Sequence, residues 1–227
     1  MCGRYTISVS PDELASHFNA IAPETLTPRF NAAPSQDLPT LLNEPSVGPR
    51  SIEMLHWGLV PHWSKTRDVG QKMINARAET LTSKPSFRDA FRKRRCLVLA
   101  DGFYEWQANG STKTPMRITL KSGEPFAFAG LWESWQDSST GERLRTFTII
   151  TTEPNDLMAT IHNRMPVILE DSAVDDWLYA RQSPDSLIEL LRPAREGLLV
   201  ATPVSSRVNS VKNDDPKCLA APEEIAR

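Results

Sequence analysis

"CLVLADGFYEW", residues 96–106, is the stretch on which the fold class turns. Cys96–Ala100 is an unbroken apolar run of strand length, as a strand buried on both faces requires. Asp101-Gly102 reads as a turn, and Phe103–Trp106 resumes as an aromatic strand. Upstream, "SIEMLHWGLVPHW" (51–63) reads as a strand running into a Trp-containing loop. "SKPSFRDAFRKRR" (83–95) reads as a helix whose cationic last turn suits the helix dipole. Downstream, "TPMRITL" (114–120), "PFAFAGLWESW" (125–135) and "LRTFTIITTEP" (144–154) are three more strands. The turn signals "KSGEP" (121–125) and "SSTGE" (138–142) separate them in a meander.

Helices flank this strand-rich centre. "SPDELASHF" (10–18) begins with Ser10 as cap, Pro11 in the first turn and Glu13 in capping-box position. "PNDLMATIH" (154–162) reads as helical, and "DSAVDDWLYA" (171–180) and "SPDSLIELLR" (183–192) carry helical spacing with good N-caps. "NRMPVIL" (163–169) and "GLLVATPVS" (197–205) add strands, and "APETLTPRFNAAPSQDLP" (22–39) reads as extended, proline-rich chain. The expected fold class is α+β: one strand-rich domain, residues 1–213, whose antiparallel sheets curl into a barrel-like core with flanking helices. Residues 214–227 read as a loose C-terminal tail.

Composition narrows the function classes. With 227 residues, 24% charged and 40% hydrophobic, the chain suits one soluble domain with a substantial core. A formal charge of −2 argues against a protein that lives by tight non-covalent nucleic-acid binding, though not against a local basic groove. Three widely spaced cysteines form neither a disulfide framework nor a metal pair, and the histidines show no metal-ligand spacing. No cofactor is expected. The start of the chain lacks a signal-peptide pattern, and no apolar run reaches membrane-spanning length. The reading is a reduced, cytoplasmic monomer without a membrane.

Four places could carry chemistry. "MCGRY" puts a small residue, Cys2, directly after the initiator methionine, so its removal would leave one residue with both an α-amine and a thiol. An α-amine titrates near 7.7–8.0, so roughly a third is neutral at pH 7.5, against about one in a thousand for lysine. Such an amine attacks an aldehyde to give a Schiff base, and the thiol can close the imine into a thiazolidine. The thiol alone would suit acyl transfer. Gly3 permits close approach of a ligand, and Arg4 offers a fixed cation. In "MINARAET" (73–80), Asn75 and Arg77 share one side of an extended segment, an amide and a phosphate-binding fork. An ordinary N-cap before a helix explains the same residues. Glu105, between Tyr104 and Trp106, is either a desolvated general acid or a solvent-facing residue of an alternating strand. His162, in "IHNRMP" (161–166), has the titration range of a proton shuttle, although a lone histidine is more often structural.

"MCGRY", "FNAAPS", "HWGLVPHW", "INARAET", "CLVLADGFYEW", "IHNRMPVIL" and "ATPVSSRVNSVKN" occur in that order, and from Cys2 to about Asn213 the chain resembles the SOS response-associated peptidase family, the abasic-site processing proteins. The resemblance implies an exposed Cys2 that captures the ring-opened aldehyde of an abasic site in single-stranded DNA as a covalent thiazolidine crosslink, shielding the lesion during replication-associated repair. It implies that Asn75 lies beside the abasic sugar and that Glu105 and His162 form an acid/base pair. Arg77 and Arg164 match phosphate-binding arginines, and Trp63 an aromatic at the DNA junction. Gly3, Arg4, Asn31, Pro34, Ser205, Arg207 and Asn209 match the DNA-facing surroundings. The family is also credited with self-removal of what precedes the cysteine and with lyase activity. Replication-fork proteins are expected partners, with the protein nucleoid-associated when acting. This sequence has "HWS" where some relatives carry a second tryptophan, and "AAPS" where some end in glycine. Two other classes compete: an N-terminal-nucleophile amidohydrolase, which would release ammonia from glutamine without a DNA adduct, and a DNA-binding module without chemistry.

Overall fold

The N-terminal strand Tyr5–Ile7 holds the two halves of the molecule together. Tyr5 is fully buried, its ring edge-on to Trp57 (centroids 5.1 Å apart) and to Phe128 (5.8 Å). Trp57 in turn stacks on Phe147, and Phe103 meets Phe128 edge-on. In the computed structural model, which describes residues 2–42, 50–179 and 183–222, this aromatic cluster fills a closed barrel of five strands: Asp37–Leu42, Glu53–Trp57, Arg95–Ala100, Phe126–Gln136 and Arg143–Thr152. Closure comes from the Phe126–Gln136 and Arg143–Thr152 strands pairing antiparallel, Gly130 opposite Ile149. The one parallel joint of the barrel sets Phe147 beside Trp57. The expected α+β class with a barrel core is what the chain forms.

A second sheet packs on the barrel, in the order Leu199–Pro203, Thr112–Leu120, Gly102–Asn109, Tyr5–Ile7, Arg29–Ala32. Here the sequence reading needs correction. Asp101-Gly102 is not a hairpin turn, because the strands on either side lie in different sheets. Asp101 is a buried crossover residue. Its Oδ1 accepts from Thr6 Oγ1 (2.5 Å), and its Oδ2 accepts from the backbone N–H groups of Ser8 (2.7 Å) and Val9 (3.1 Å) and from the Ser8 hydroxyl. Arg117 pairs with it at 3.2 Å. Gly102 is needed for space: a Cβ there would lie 2.8 Å from Arg117 Nε and 2.9 Å from Thr6 Oγ1. "KSGEP" is likewise a crossover between sheets, whereas "SSTGE" does close a hairpin.

Two further expectations change. The cationic end of "RDAFRKRR" is not a free patch. Arg95 is buried and donates to the carbonyls of Phe91, Arg92, Trp177 and Leu178, thereby capping the C-terminal ends of the helices Arg88–Lys93 and Asp171–Tyr179. Nor is the segment from 214 to 222 loose. Asp214 accepts from the backbone N–H groups of Phe30 (2.6 Å) and Asn31 (2.8 Å) and from Arg29 Nε (2.5 Å). Cys218 behind it is fully buried. Ala180 and residues 223–227, parts of the expected helix and tail, lie outside the described residues. Two helix starts agree with the reading, Ser10 and Ser183 each accepting a backbone N–H of the first turn, while the helix expected over 154–162 is the short Asp156–Ala159, capped by Asn155. Among the described residues no helix is long and apolar enough to cross a membrane.

Two stability measurements check this account. Asp101→Ala strands Arg117 and four donors around a buried gap, and should cost about 3–5 kcal/mol in urea denaturation, lowering Tm by roughly 10 °C. Asp214→Ala leaves two backbone N–H groups without their acceptor and should cost about 2 kcal/mol. Stability equal to wild type in either variant would contradict the corresponding contact.

Candidate functional site

Cys2 is held by the strand that follows it. With Tyr5 wedged into the barrel, Cys2 falls at the seam between barrel and second sheet. Asn75 donates from Nδ2 to the Cys2 carbonyl at 2.8 Å. The Asn75–Arg77 strand that carries it runs parallel to Arg143–Thr152, with Asn75 opposite Ile149 and Arg77 opposite Thr151. Asn75 is therefore a strand residue and not a helix cap, and its Oδ1 is buried with no hydrogen bond from the described residues.

The expectation of an exposed Cys2 is not met. In the full chain its side chain is completely buried. Burial, reinforced by the negative charge of Glu105, pushes the thiol far above the ordinary thiol range, so it stays protonated at neutral pH. The part of Arg4 that approaches Sγ is its carbonyl, at 3.9 Å.

Glu105 resolves to the buried alternative, 4% exposed, and burial holds its carboxyl above the usual carboxylate range, with the nearby charge of His162 opposing the rise. His162 is set by the short helix Asp156–Ala159: its backbone N–H donates to the Met158 carbonyl at 2.7 Å. Gln107, two residues beyond Glu105, donates to the Thr160 carbonyl at 3.1 Å and ties the two segments together. The Arg164 N–H donates to His162 Nδ1 at 3.0 Å, so the neutral ring carries its proton on Nε2. Thiol, amide, carboxyl and imidazole thus meet around one residue.

The cations and the aromatic expected to meet DNA follow one strand. Along Arg143–Thr152, Thr146 Oγ1 accepts from the Val60 N–H at the base of the Trp63 loop, Ile149 faces Asn75, and the Thr151 carbonyl accepts from Arg164 Nη2 at 2.7 Å. At about 3.3 Å per residue, loop base, Cys2 site and arginines lie in a row roughly 17 Å long. Arg77 is exposed, and Trp63 is 57% exposed on a braced loop. The buried Glu133 carboxylate accepts from the His62 N–H and pairs with His62 Nδ1, both at 3.0 Å, while Arg94 takes its other oxygen. Trp135 Nε1 donates to the Ser64 carbonyl at 2.8 Å. Gly58 and Gly70 cross at the loop's base, where a Cβ on either would lie 2.6–2.7 Å from the other's carbonyl oxygen.

The remaining expected residues are set apart from this row. Asn31 is fully buried: its Oδ1 accepts from Arg4 Nη1 (2.7 Å), and its Nδ2 donates to the carbonyls of Val208, Ser210 and Asn213. Arg4 also donates to the Val208 carbonyl at 2.9 Å and lies over the Trp106 ring. Trp106 donates to Asn209 Oδ1 at 2.7 Å. Ser205 Oγ caps the Arg207 N–H, and Arg207 pairs with Asp215 at 2.5 Å. Buried Asn31 and half-buried Arg4 thus fasten the 205–213 segment, and Gly3 and Pro34 are half-buried as well. Sequence reasoning passed over Glu79, which binds Arg164 with both carboxylate oxygens. It stands two residues past Arg77 in "INARAET", so the parity that paired Asn75 with Arg77 pointed to it. Glu133, far from His62 in sequence, left no such signal.

Comparison with known proteins agrees with this arrangement. The family model described as SOS response associated peptidase (SRAP) matches residues 1–211. The abasic site processing protein YoqW of Bacillus subtilis is 47% identical over 224 residues, covering 96% of this chain and 99% of that protein. The abasic site processing protein HMCES of Gallus gallus is 36% identical, covering 85% of this chain and 66% of that one. A crystal structure of a Bacteroides thetaiotaomicron protein superposes with a TM-score of 0.88 at 27% identity, over 97% of this chain and 99% of that one. The ordered motifs, the barrel that seats Cys2 and these relatives agree: the chain belongs to the SRAP family.

Proposed function

We propose that this protein captures abasic sites in single-stranded DNA by forming a covalent thiazolidine through Cys2 after Met1 is removed. The observation that carries the reading is the meeting of a thiol kept protonated, a buried amide, a carboxyl raised by its burial and an imidazole at one residue. Thiolate-first acyl transfer, the amidohydrolase alternative, is poorly served by such a thiol. Amine-first attack on an aldehyde is well served, because a free α-amine is partly neutral at physiological pH.

The steps balance as follows. The ring-closed sugar opens to its aldehyde as O4′ takes a proton, which protonated Glu105 can supply, and the C1′ hydroxyl gives its own proton back to the carboxylate so formed. The Cys2 amine adds to the carbonyl carbon, and the carbinolamine oxygen leaves as water after a second protonation. The imine carbon then accepts the Cys2 sulfur, while the thiol proton passes to the ring nitrogen. Glu105, which lies within the field of His162, relays these protons with it. Asn75 orients Cys2 through its carbonyl. Arg77 and Arg164 bind backbone phosphate, and Trp63 stacks on a base, worth about 1–3 kcal/mol. Thiol addition also destroys the imine before it can assist β-elimination of the 3′ phosphate, so crosslinking and lyase chemistry compete at the same intermediate. While Met1 remains, the Cys2 nitrogen is an amide and the thiol is buried, so removal of the leading residue must precede capture.

Intact-mass spectrometry and denaturing gels with an abasic oligonucleotide test the core of this. Wild type should give a heat-stable adduct with loss of one water per aldehyde joined. Cys2→Ala should lose the adduct and cleave the strand instead, through an imine that borohydride traps. A leucine inserted between Met1 and Cys2 should abolish capture. An adduct of undiminished stability from Cys2→Ala would sink the proposal.

A pH profile tests Glu105. Its raised pKa keeps the acid form at higher pH than an ordinary carboxyl, so the capture rate should fall as pH climbs through that value. Glu105→Gln should remove this limb and slow capture on the order of 10²-fold. An unchanged rate and profile would take Glu105 out of the mechanism.

A further inference from the structure

We propose that Glu79 is a resident counterion that a DNA phosphate must displace from Arg164, so that this carboxylate sets the strength and salt dependence of docking. The inference rests on the reading of the chain as a binder of abasic single-stranded DNA and adds a residue to it.

The geometry is that of an occupied phosphate fork. Both Glu79 oxygens bind the two terminal nitrogens of Arg164, the Oε2–Nη2 distance being 3.0 Å. A phosphate grips guanidinium in this same two-point manner. The two partners differ in exposure. Arg164 is inset, its side chain 15% exposed, whereas Glu79 is 54% exposed on the short turn Ala78–Thr80. The carboxylate is therefore the mobile half of the pair. When it swings away, the Thr151 carbonyl still holds Arg164 Nη2 at 2.7 Å, so the guanidinium stays aimed. Arg164's own N–H stays on His162 Nδ1, which keeps the exchange next to the chemistry without requiring the imidazole to move.

The hydrogen bond from Arg164 holds Glu79 below the usual carboxylate range, with the charge of Arg77 adding to it, so Glu79 is ionised at neutral pH. Two arginines and one glutamate put a net charge of one on this end of the row, where the arginines alone would put two. Each protein charge that neutralises a phosphate of a single strand adds about 0.7 to the slope of log affinity against log salt. Glu79 therefore reduces that slope by about one such step and weakens binding to undamaged strand, leaving retention to the covalent bond.

Fluorescence anisotropy with an intact, unmodified single strand reads this without the chemistry. Between 50 and 200 mM salt, Glu79→Gln should bind more tightly than wild type and steepen the slope by about 0.7, so that its advantage at 50 mM is roughly 2.6 times that at 200 mM. Arg164→Gln added to Glu79→Gln should abolish the gain, and Glu79→Asp should restore the wild-type slope. A Glu79→Gln variant of normal Tm with an unchanged slope, or with weaker binding, overturns the counterion role. If wild type still forms the abasic adduct in that case, the functional reading stands and only this inference falls. If wild type neither binds strand nor forms adduct, both fall together.

Discussion

The buried carboxylate of Asp101 is the constraint on which the architecture depends. It sits where the chain leaves the barrel for the second sheet, and it collects donors from the N-terminal strand and from Arg117. Without it, the buried Thr6 hydroxyl and the half-buried Ser8 and Val9 N–H groups would lose the acceptor they share. With it, the N-terminal strand has one register, Tyr5 has one slot, and Cys2 has one address. A reactive residue next to a chain end would ordinarily fray. Here the anchor lies only a few residues from Cys2, so the chain is held in place from Cys2 onward.

Local signals made much of this legible. The helix caps at Ser10 and Ser183 and the apolar run Cys96–Ala100 each follow from short-range preference, and the structure bears them out. The errors share one cause: residues whose partners are distant in sequence. Asp101-Gly102 has the composition of a hairpin turn, yet its donors come from nearly a hundred residues upstream. The Arg94–Arg95 pair looks like surface charge, yet one side chain caps two helix ends and the other reaches Glu133. The 214–222 segment is polar and proline-bearing like a tail, yet Asp214 closes the Arg29–Ala32 strand. Composition reports which groups want partners and not where those partners are.

The candidate site divides the same way. Cys2, Asn75, Glu105 and His162 come together from four separated segments, as the ordered motifs led one to expect. Glu105 could not be placed from its strand parity alone, because both neighbours, Tyr104 and Trp106, also pack, against a second small cluster with Val204 and Val208. Arg4 and Asn31, by contrast, stand inside strong motifs but act inward, holding the 205–213 segment against the sheet. A motif marks what the fold cannot do without, and scaffolding qualifies as readily as chemistry.

The glycine crossing at residues 58 and 70 has a thermodynamic consequence for a protein of net negative charge. Because the two backbones touch and Glu133 and Trp135 grip the intervening segment at His62 and Ser64, the backbone on either side of Trp63 is already ordered before any ligand arrives. Ordering a floppy loop and its side chains would consume much of what one aromatic contact returns. In the proposed docking, a loop ordered in advance keeps more of that return, because only the indole's own rotation is left to fix.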